Sequence, residues 1–326
     1  MTTSPTTKAF ASQADLEEKQ VTFERLSEHA WAYTAEGDPN TGIVIGRDAA
    51  MVIDTQATPV MAADVIRRIR EVSSVPIKYV LLSHYHAVRV LGASAFKAEG
   101  LEQVIASEGT LALIKERGEQ DKSSEIGRFP RLFRNVESVP AGLTWPTLTF
   151  AGRLTLDLGG VQVEMFSPGR GHTAGDTVAW LPHERVLFSG DLVEFDATPY
   201  CGDAHFADWP ATLDAIAKLD AAALVPGRGP ALKGAEQVKA GLEGTRAFVS
   251  ELYAAVQAGV KAGEALKAVY QRTMAVLRPK YGHWVIFDHC MPFDVTRAYD
   301  EAGGTAHPRI WTAERDVEMW KSLEGA

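Results

Sequence analysis

The chain has 326 residues, of which 46% are hydrophobic and 23% are charged, so it can bury a sizeable core like an ordinary soluble globular protein. Its 33 lysines and arginines against 42 aspartates and glutamates give a net charge of −9, which argues against nucleic acid or an anionic membrane surface as a partner. Only two cysteines are present, which excludes a disulfide framework and any Cys-x-x-Cys motif.

The N-terminus lacks a basic segment followed by an apolar one, and no run approaches the roughly 18–20 apolar residues that a membrane span needs. We therefore expect a cytoplasmic protein. Residues 1–20 are polar and rich in Ser and Thr, a composition typical of a flexible N-terminal arm.

Strands and helices alternate after this arm. Short segments rich in Val, Ile and Tyr between Ala30 and Thr55 predict consecutive strands. The next segment predicts an amphipathic helix with an apolar face at Val60, Ala63, Ile66 and Ile69. The strand IKYVLLS follows, and a second β-rich block runs from about residue 148 to residue 191. Helical patterns dominate from Pro210 onward, and a docked helix is expected within residues 309–326.

The segment Gly118–Pro146 interrupts this alternation. Helices are expected near Ala93–Ala98 and Glu108–Glu116, and the residues that follow them predict a long loop. Loops of this length are often functional lids, so the segment is a candidate substrate cover. An ordinary packed excursion or a dimer contact is equally consistent with the pattern.

Polar residues that can bind metal stand at the ends of several predicted strands. His84 and His86 flank Tyr85 after IKYVLLS, and His172 lies between glycines after a strand and a Pro-Gly turn. Carboxylates also follow apolar strands, at Asp54 and Asp191. Polar side chains at strand ends are more typical of a site than of a core.

Together these motifs resemble those of the metallo-β-lactamase-fold superfamily of metal-dependent hydrolases. The matching elements occur in the expected order between Ala30 and Leu232: Asp54, S-H84-Y-H86, G-H172-T-A-G-D176, F-S-G-D191 and V-P-G-R228-G-P. The resemblance implies an α+β fold, an αβ/βα sandwich of two mixed β-sheets flanked by helices. It places this domain at residues 21–233, with residues 234–326 as a helical extension packed on it.

The resemblance also implies a metal site. Its first metal would be bound by His84, His86 and His172, with Asp191 as a further ligand that also takes part in catalysis. Three imidazoles and a carboxylate suit Zn²⁺, while Fe and Mn are chemically reasonable. Three further residues are expected to contact the ligands and orient them without binding the metal. They are Asp54, Asp176 and His205.

The chain departs from the superfamily at the second metal site. The usual His-x-His-x-Asp-His run has Val88 and Arg89 in place of its last two ligands, and Arg228 replaces the histidine of a Pro-Gly-His-Gly motif. We therefore expect a single metal. Two permanently charged guanidinium groups would repel a second cation, and they could bind an anionic substrate.

The expected activity is hydrolysis of a small, anionic ester, lactone, amide or thioester. A metal lowers the pKa of its bound water from about 15.7 toward about 7, so hydroxide becomes available near neutral pH. The Asp missing at position 88 would normally position this water in the family, and Tyr85 is a candidate replacement.

Two alternatives stay open. Persulfide dioxygenases of the same superfamily use one iron held by two His and one Asp, for which His84, His172 and Asp191 are available. A metal-containing protein that binds an anion with little catalysis is the other. The cluster of His283, His289 and Cys290 is interpreted as packing, because no ligand spacing is evident. Dimerisation through the C-terminal helices is compatible with the sequence, although no motif indicates it.

Overall fold

The structure, a computed structural model, describes residues 10–324. One sheet contains seven strands in sequence order. They are β1 (Val21–Arg25), β2 (Ala30–Ala35), β3 (Asp38–Ile45), β4 (Ala50–Ile53), β5 (Ile77–Leu81), β6 (Gln103–Ser107) and β7 (Leu148–Phe150). Strands β1 to β4 pair antiparallel, whereas β4 to β7 run parallel. The loops after β4 and β5 therefore leave the same edge of the sheet, and they carry Asp54 and His84.

The second sheet contains six strands, in the order β13-β12-β11-β10-β9-β8. They are β8 (Arg153–Asp157), β9 (Gln162–Phe166), β10 (Val178–Leu181), β11 (Val186–Phe188), β12 (Ala223–Val225) and β13 (Leu232–Lys233). Strands β11 and β12 are parallel, and β10 is antiparallel to β11. The start of β10 and the ends of β11 and β12 thus share one edge, which brings together His172, Asp191 and Arg228.

The two sheets pack face to face over an apolar core. Met51 and Ile53 of the first sheet belong to the same buried cluster as Met165 of the second. The sheets come close together at Gly42, where a Cβ atom would lie 2.2 Å from the ring of Phe188. The predicted α+β sandwich of two mixed sheets flanked by helices is confirmed.

Helices cover both outer faces. They are α1 (Pro59–Val72), α2 (Ala87–Val90), α3 (Glu108–Arg128), α4 (Trp209–Ala217), α5 (Ala235–Lys261), α6 (Leu266–Tyr281), α7 (Phe287–Ala302) and α8 (Ala313–Glu324). Helix α1 and residues of α3 share a cluster with the first sheet, whereas α4 to α8 share one with the second. The docked helix expected within residues 309–326 corresponds to α8, in which Trp320 is buried.

Helix α1 exists as predicted, but its buried face is different. Thr58 caps its first turn by accepting a hydrogen bond from the Met61 backbone N–H, and Pro59 occupies the first helical position. Its buried residues are Ala62, Val65 and Ile69. Val60 was expected on the buried face and is 48% exposed.

The predicted long loop at Gly118–Pro146 is wrong in its first part, because α3 continues to Arg128. The buried face of this part of α3 is polar, so the apolar period that indicates a helix is missing there. Asp121 and Glu125 accept hydrogen bonds from the backbone N–H groups of Ala87 and Val88, at 2.7 and 2.9 Å. The end of α3 therefore holds the segment that follows His86.

The polar N-terminal arm was predicted for residues 1–20, of which residues 1–9 lie outside the described part of the chain. Phe10 is buried, with its ring centroid 4.8 Å from that of Trp320 in α8 and 6.4 Å from that of Phe293 in α7. The Ser12 hydroxyl donates a hydrogen bond to the Arg128 carbonyl. The part of the arm from residue 10 onward is thus tied to the folded domain.

Within residues 10–324, no helix combines the length and the apolar character required to cross a lipid bilayer.

We predict that Phe10→Ala lowers the free energy of unfolding by about 3 kcal/mol, because it removes a buried ring and leaves a cavity between α7 and α8. Chemical denaturation measures this change. Leu16→Ala is the matched control, since Leu16 is 58% exposed in the same arm and its truncation should change stability little. Equal effects of the two substitutions would contradict the docking of Phe10.

Candidate metal centre

Three buried histidines converge at the shared edge of the two sheets. One ring nitrogen from each of His84, His86 and His172 lies within 4.8 Å of the corresponding nitrogens of the other two. The atoms concerned include His86 Nδ1 and His172 Nε2, which are 3.0 Å apart, and His84 Nε2, which has no hydrogen-bond partner. Because buried polar nitrogens are normally paired, this arrangement fits a metal ion at the common point.

The outer nitrogen of each imidazole is held by a hydrogen bond. His84 Nδ1 lies 2.9 Å from the Ser83 hydroxyl, and His172 Nδ1 lies 2.8 Å from the Tyr200 carbonyl oxygen. His86 Nε2 lies 3.1 Å from a carboxylate oxygen of Asp203. Such contacts fix the tautomer and ring orientation of metal-binding histidines. The inner nitrogens are therefore oriented to act as ligands.

The protonation of the three histidines differs. Burial lowers the pKa of His172 to about 3 and that of His84 well below its usual value, so both rings are neutral near pH 7. In His86 burial acts in the same direction, but the carboxylates of Asp121 and Asp203 outweigh it and raise the pKa to about 9. A metal ion bound to His86 would therefore take the place of a proton on that ring.

Asp54 and Asp176 support the ligands indirectly. The Asp54 carboxylate accepts hydrogen bonds from the backbone N–H and the hydroxyl of Ser83, at 2.8 and 2.7 Å, so it acts on His84 through Ser83. Asp176 accepts hydrogen bonds from the backbone N–H and the hydroxyl of Thr173, which fixes the turn after His172.

His205 contributes through its backbone, whose N–H donates to the Gly171 carbonyl at 2.8 Å, next to His172. Its ring Nε2 has no partner, and burial lowers the pKa of the ring to about 4. Among the described residues, the ring nitrogens that could hold a metal together are those of the three converging histidines, and His205 does not belong to this group.

Asp203 links several side chains behind His86 and was not identified from the sequence. Besides His86, it accepts hydrogen bonds from the Tyr85 hydroxyl at 2.5 Å and from Arg117 at 2.7 Å. Burial opposes ionisation, but the hydrogen bond from His86 and the charge of Arg117 keep the pKa of Asp203 well below its usual range. The carboxylate is therefore ionised. From its place after β11, it connects the segment after β5, which carries His86, to Arg117 in α3.

Tyr85, which was expected to take part in catalysis, belongs to this network. Its hydroxyl is buried and donates to Asp203, the carboxylate that contacts the outer nitrogen of His86. Burial and the nearby charge of Asp203 raise the pKa of Tyr85 well above its usual value, so the hydroxyl stays protonated. Tyr85 helps to position Asp203.

Asp191 lies beside the three histidines. One of its carboxylate oxygens, Oδ2, is 3.8 Å from His84 Nε2 and 3.7 Å from His172 Nε2. The same oxygen accepts a hydrogen bond from Arg228 at 3.1 Å, and the other oxygen forms an ion pair with Arg89. These charges outweigh burial and lower the pKa of Asp191 far below its usual range, so it is an anion in reach of the metal position.

Arg89 and Arg228, which were predicted to hold the charge of a substrate, both form ion pairs with Asp191. Arg89 is 1% exposed, and it donates to the backbone carbonyls of Asn40 and Gly227 at 3.0 and 2.7 Å in addition to its pairing with Asp191. Arg228 divides its contacts between Asp191 and Glu194, the latter at 3.2 Å. Arg89 is therefore committed to partners within the protein, whereas the side-chain hydrogen bonds of Arg228 come from Nη1 and the residue also lines the pocket beside Trp284.

A small cavity adjoins the histidines, and a larger pocket opens outside it. The inner cavity has a volume of about 10 Å³, enough for about one water molecule, and His86 and Asp191 contribute to its wall. The outer pocket has a volume of about 290 Å³. The two share a wall made of Phe129, Arg228, Ile286 and His289. We call this outer pocket the vestibule, because it is the larger space on the other side of that wall.

Several of these site residues could not be identified from motifs. Ser83 directly precedes His84, so the sequence already shows that it lies close to this ligand. Arg117 and His289 stand far from the ligand motifs, and Asp203 follows Asp191 without a spacing that would indicate its role.

We predict that Asp203→Asn lowers metal affinity about 10–100-fold, because an amide cannot hold His86 as a carboxylate does and leaves Arg117 without its charge partner. Competition with a chromogenic chelator measures the affinity. Asp208→Asn is the control, since the side chain of Asp208 forms a partly exposed ion pair with Arg170. Unchanged affinity in Asp203→Asn would mean that His86 is positioned without this carboxylate.

Comparisons with known proteins agree with this geometry. A sequence model described as the metallo-beta-lactamase superfamily matches residues 34–228. A metallo-beta-lactamase type 2 of Bacillus cereus is 23% identical over 221 residues, which cover 64% of this chain and 77% of that protein. A linear primary-alkylsulfatase of a Pseudomonas species is 23% identical over 63% of this chain and 44% of its own length. The solved structure of a metallo-beta-lactamase from Pontibacter korlensis has a similar fold, with a TM-score of 0.56 and 24% identity over 71% of this chain and 99% of that one. The chain belongs to the metallo-beta-lactamase superfamily.

Proposed function

We propose that the protein is a metal-dependent hydrolase that uses one metal ion, held by His84, His86 and His172. The observation that carries this proposal is the orientation of the three imidazoles. Each outer nitrogen is hydrogen-bonded, and the inner nitrogens face one another or have no partner. Asp191 is the proposed fourth ligand, since its Oδ2 atom lies close to two of the inner nitrogens.

The pairing of Asp191 with two arginines supports a single metal. Arg89 and Arg228 replace second-site ligands of the family, and both are buried against Asp191. A second divalent cation would have to bind beside two guanidinium charges that cannot lose their protons. Val88, which replaces the third ligand, offers no donor atom.

Zinc is the proposed metal, because imidazole and carboxylate ligands in a buried site of this kind suit it. When bound, a zinc ion would polarise a carbonyl group and lower the pKa of a water molecule. The residues of the chain have separate tasks. Asp203 orients His86, and Ser83 orients His84. Arg228 and Arg89 keep Asp191 ionised and fix its position.

The proposed substrates are small esters, lactones, amides or thioesters that enter through the vestibule. Phe129, Leu132, Trp284 and Ile286 give this pocket apolar walls. The pocket also contains positively and negatively charged side chains, and Arg131 forms ion pairs with Asp15 and Asp38. Arg228 lines the same pocket, so we propose that an anionic group of the substrate binds beside it.

The distances around Asp191 favour one further candidate. Two imidazoles and one carboxylate, from His84, His172 and Asp191, are also the ligand set of mononuclear iron oxygenases. The hydrogen bond between His86 and Asp203 orients His86 as a third imidazole ligand. Because the oxygenase ligand set contains only two imidazoles, we prefer hydrolysis.

We predict about one zinc per chain in protein purified without added metal, and loss of that zinc in His172→Ala. Elemental analysis measures the metal, and a panel of chromogenic esters, lactones and thioesters measures hydrolysis. His183→Ala is the matched control, because His183 is exposed in the turn between β10 and β11 and should keep both metal and activity.

Other results would contradict the proposal in distinct ways. One iron per chain, with oxygen consumption in the presence of a persulfide, would favour the dioxygenase. Two metals per chain would show that the paired arginines do not exclude a second cation. Absence of metal, with binding of small anions, would favour a binding protein.

A further inference from the structure

We propose that His289, in the helical C-terminal extension, is a catalytic residue that forms a hydrogen bond to the substrate as it reaches the metal centre. This inference rests on the proposed function and identifies a residue that completes its site. His289 lies in the first turn of α7, beyond residues 34–228 that match the family model.

The first observation is that the imidazole of His289 is buried without a partner. The residue is 2% exposed, and within residues 10–324 neither ring nitrogen forms a hydrogen bond. A buried polar group without a partner destabilises the folded state, and native proteins seldom retain one without a reason. A ligand that enters the neighbouring space could provide the missing partner.

The second observation is the position of His289 between the two cavities. It lines the inner cavity together with His86 and Asp191, and it lines the vestibule together with Trp284 and Phe287. It belongs to the wall that separates the two spaces. A molecule that passes from the vestibule to the metal position must therefore come into contact with this wall or displace it.

The third observation is that the residue is held firmly in place. The ring of Phe129 lies against His289 with centroids 4.4 Å apart, and the His289 backbone N–H donates to the Ile286 carbonyl at 3.0 Å. Ile286 has a φ of +58°, which is rare for a β-branched residue and strained. The neighbouring Val285 anchors this turn through backbone hydrogen bonds with Asp196 and Thr198, at 3.1 and 3.0 Å.

His289 is suited to bind a substrate rather than a metal. Its nitrogens do not belong to the group of ligand atoms formed by His84, His86 and His172. Burial lowers the pKa of His289 well below its usual value, and the charges of Arg128 and Arg228 add to this effect, so the ring is neutral. A neutral imidazole offers one donor and one acceptor. Val88 lines the same cavity and offers no hydrogen-bonding side chain, so His289 is the group of this wall that can supply a donor and an acceptor.

The test compares His289→Leu with His289→Gln in cobalt-substituted protein, using acetohydroxamate as the probe and the visible absorption of the cobalt as the readout. We expect His289→Leu to keep one metal per chain and to bind the probe about tenfold more weakly. The amide of His289→Gln keeps a donor and an acceptor, so it should restore part of the affinity. His283→Leu is the matched control, because His283 is exposed in the segment that precedes α7.

Stability separates a functional role from a structural one. His289→Leu removes a buried group that has no partner, so its unfolding midpoint should equal or exceed that of the wild type while probe affinity falls. Wild-type affinity in a folded, metal-loaded His289→Leu protein would overturn the proposal. If His289→Leu does not fold, wild-type affinity in His289→Asn together with unchanged kcat and KM would overturn it.

The same measurements keep this proposal apart from the proposed function. Hydrolysis of none of the esters, lactones and thioesters would contradict the hydrolase, while a His289-dependent probe affinity would still support His289 as the residue that contacts the ligand. Hydrolysis that is unchanged in His289→Leu would support the hydrolase and contradict the role of His289.

Discussion

Three buried imidazoles have to direct one nitrogen each toward a single point, and this requirement shapes the surrounding structure. A histidine ring has two nitrogens, so its orientation is fixed only when the outer nitrogen has its own partner. The chain supplies three different partners, which are a hydroxyl, a backbone carbonyl and a carboxylate. The hydroxyl and the carboxylate are held in turn by other side chains, so the site extends well beyond the ligands.

The pairing of Asp191 with two arginines stabilises a buried negative charge beside the three histidines. A carboxylate beside the histidines needs positive charge nearby to stay ionised when it is buried. Arg89 and Arg228 supply that charge with groups that belong to the chain, and the Asn40 and Gly227 carbonyls hold the first of them. The geometry around Asp191 therefore does not depend on a second ion.

The sequence allowed the fold and the three converging histidines to be predicted, because the order and spacing of their motifs resemble those of the metallo-β-lactamase superfamily. It did not show what Arg89 and Arg228 contact, since a guanidinium group can face a ligand or a buried carboxylate with the same sequence. The second half of α3 was missed because Asp121 and Glu125 replace the apolar residues that would indicate a buried helix face. Asp203 was missed because its link to His86 depends on the path of the chain after β11.

The inner cavity draws its wall from segments that are far apart in the chain, from His86 after β5 to His289 in α7. Contacts of such long range form late, because a long loop must close before they can contribute. The three histidines can come together once the two sheets have formed, but the outer wall of the cavity is incomplete until α7 brings Ile286 and His289 into place. During synthesis, ligand residues therefore leave the ribosome well before the segment that closes them off from solvent. The ligand residues are thus synthesised before Ile286 and His289, the two residues of the wall that the C-terminal extension supplies.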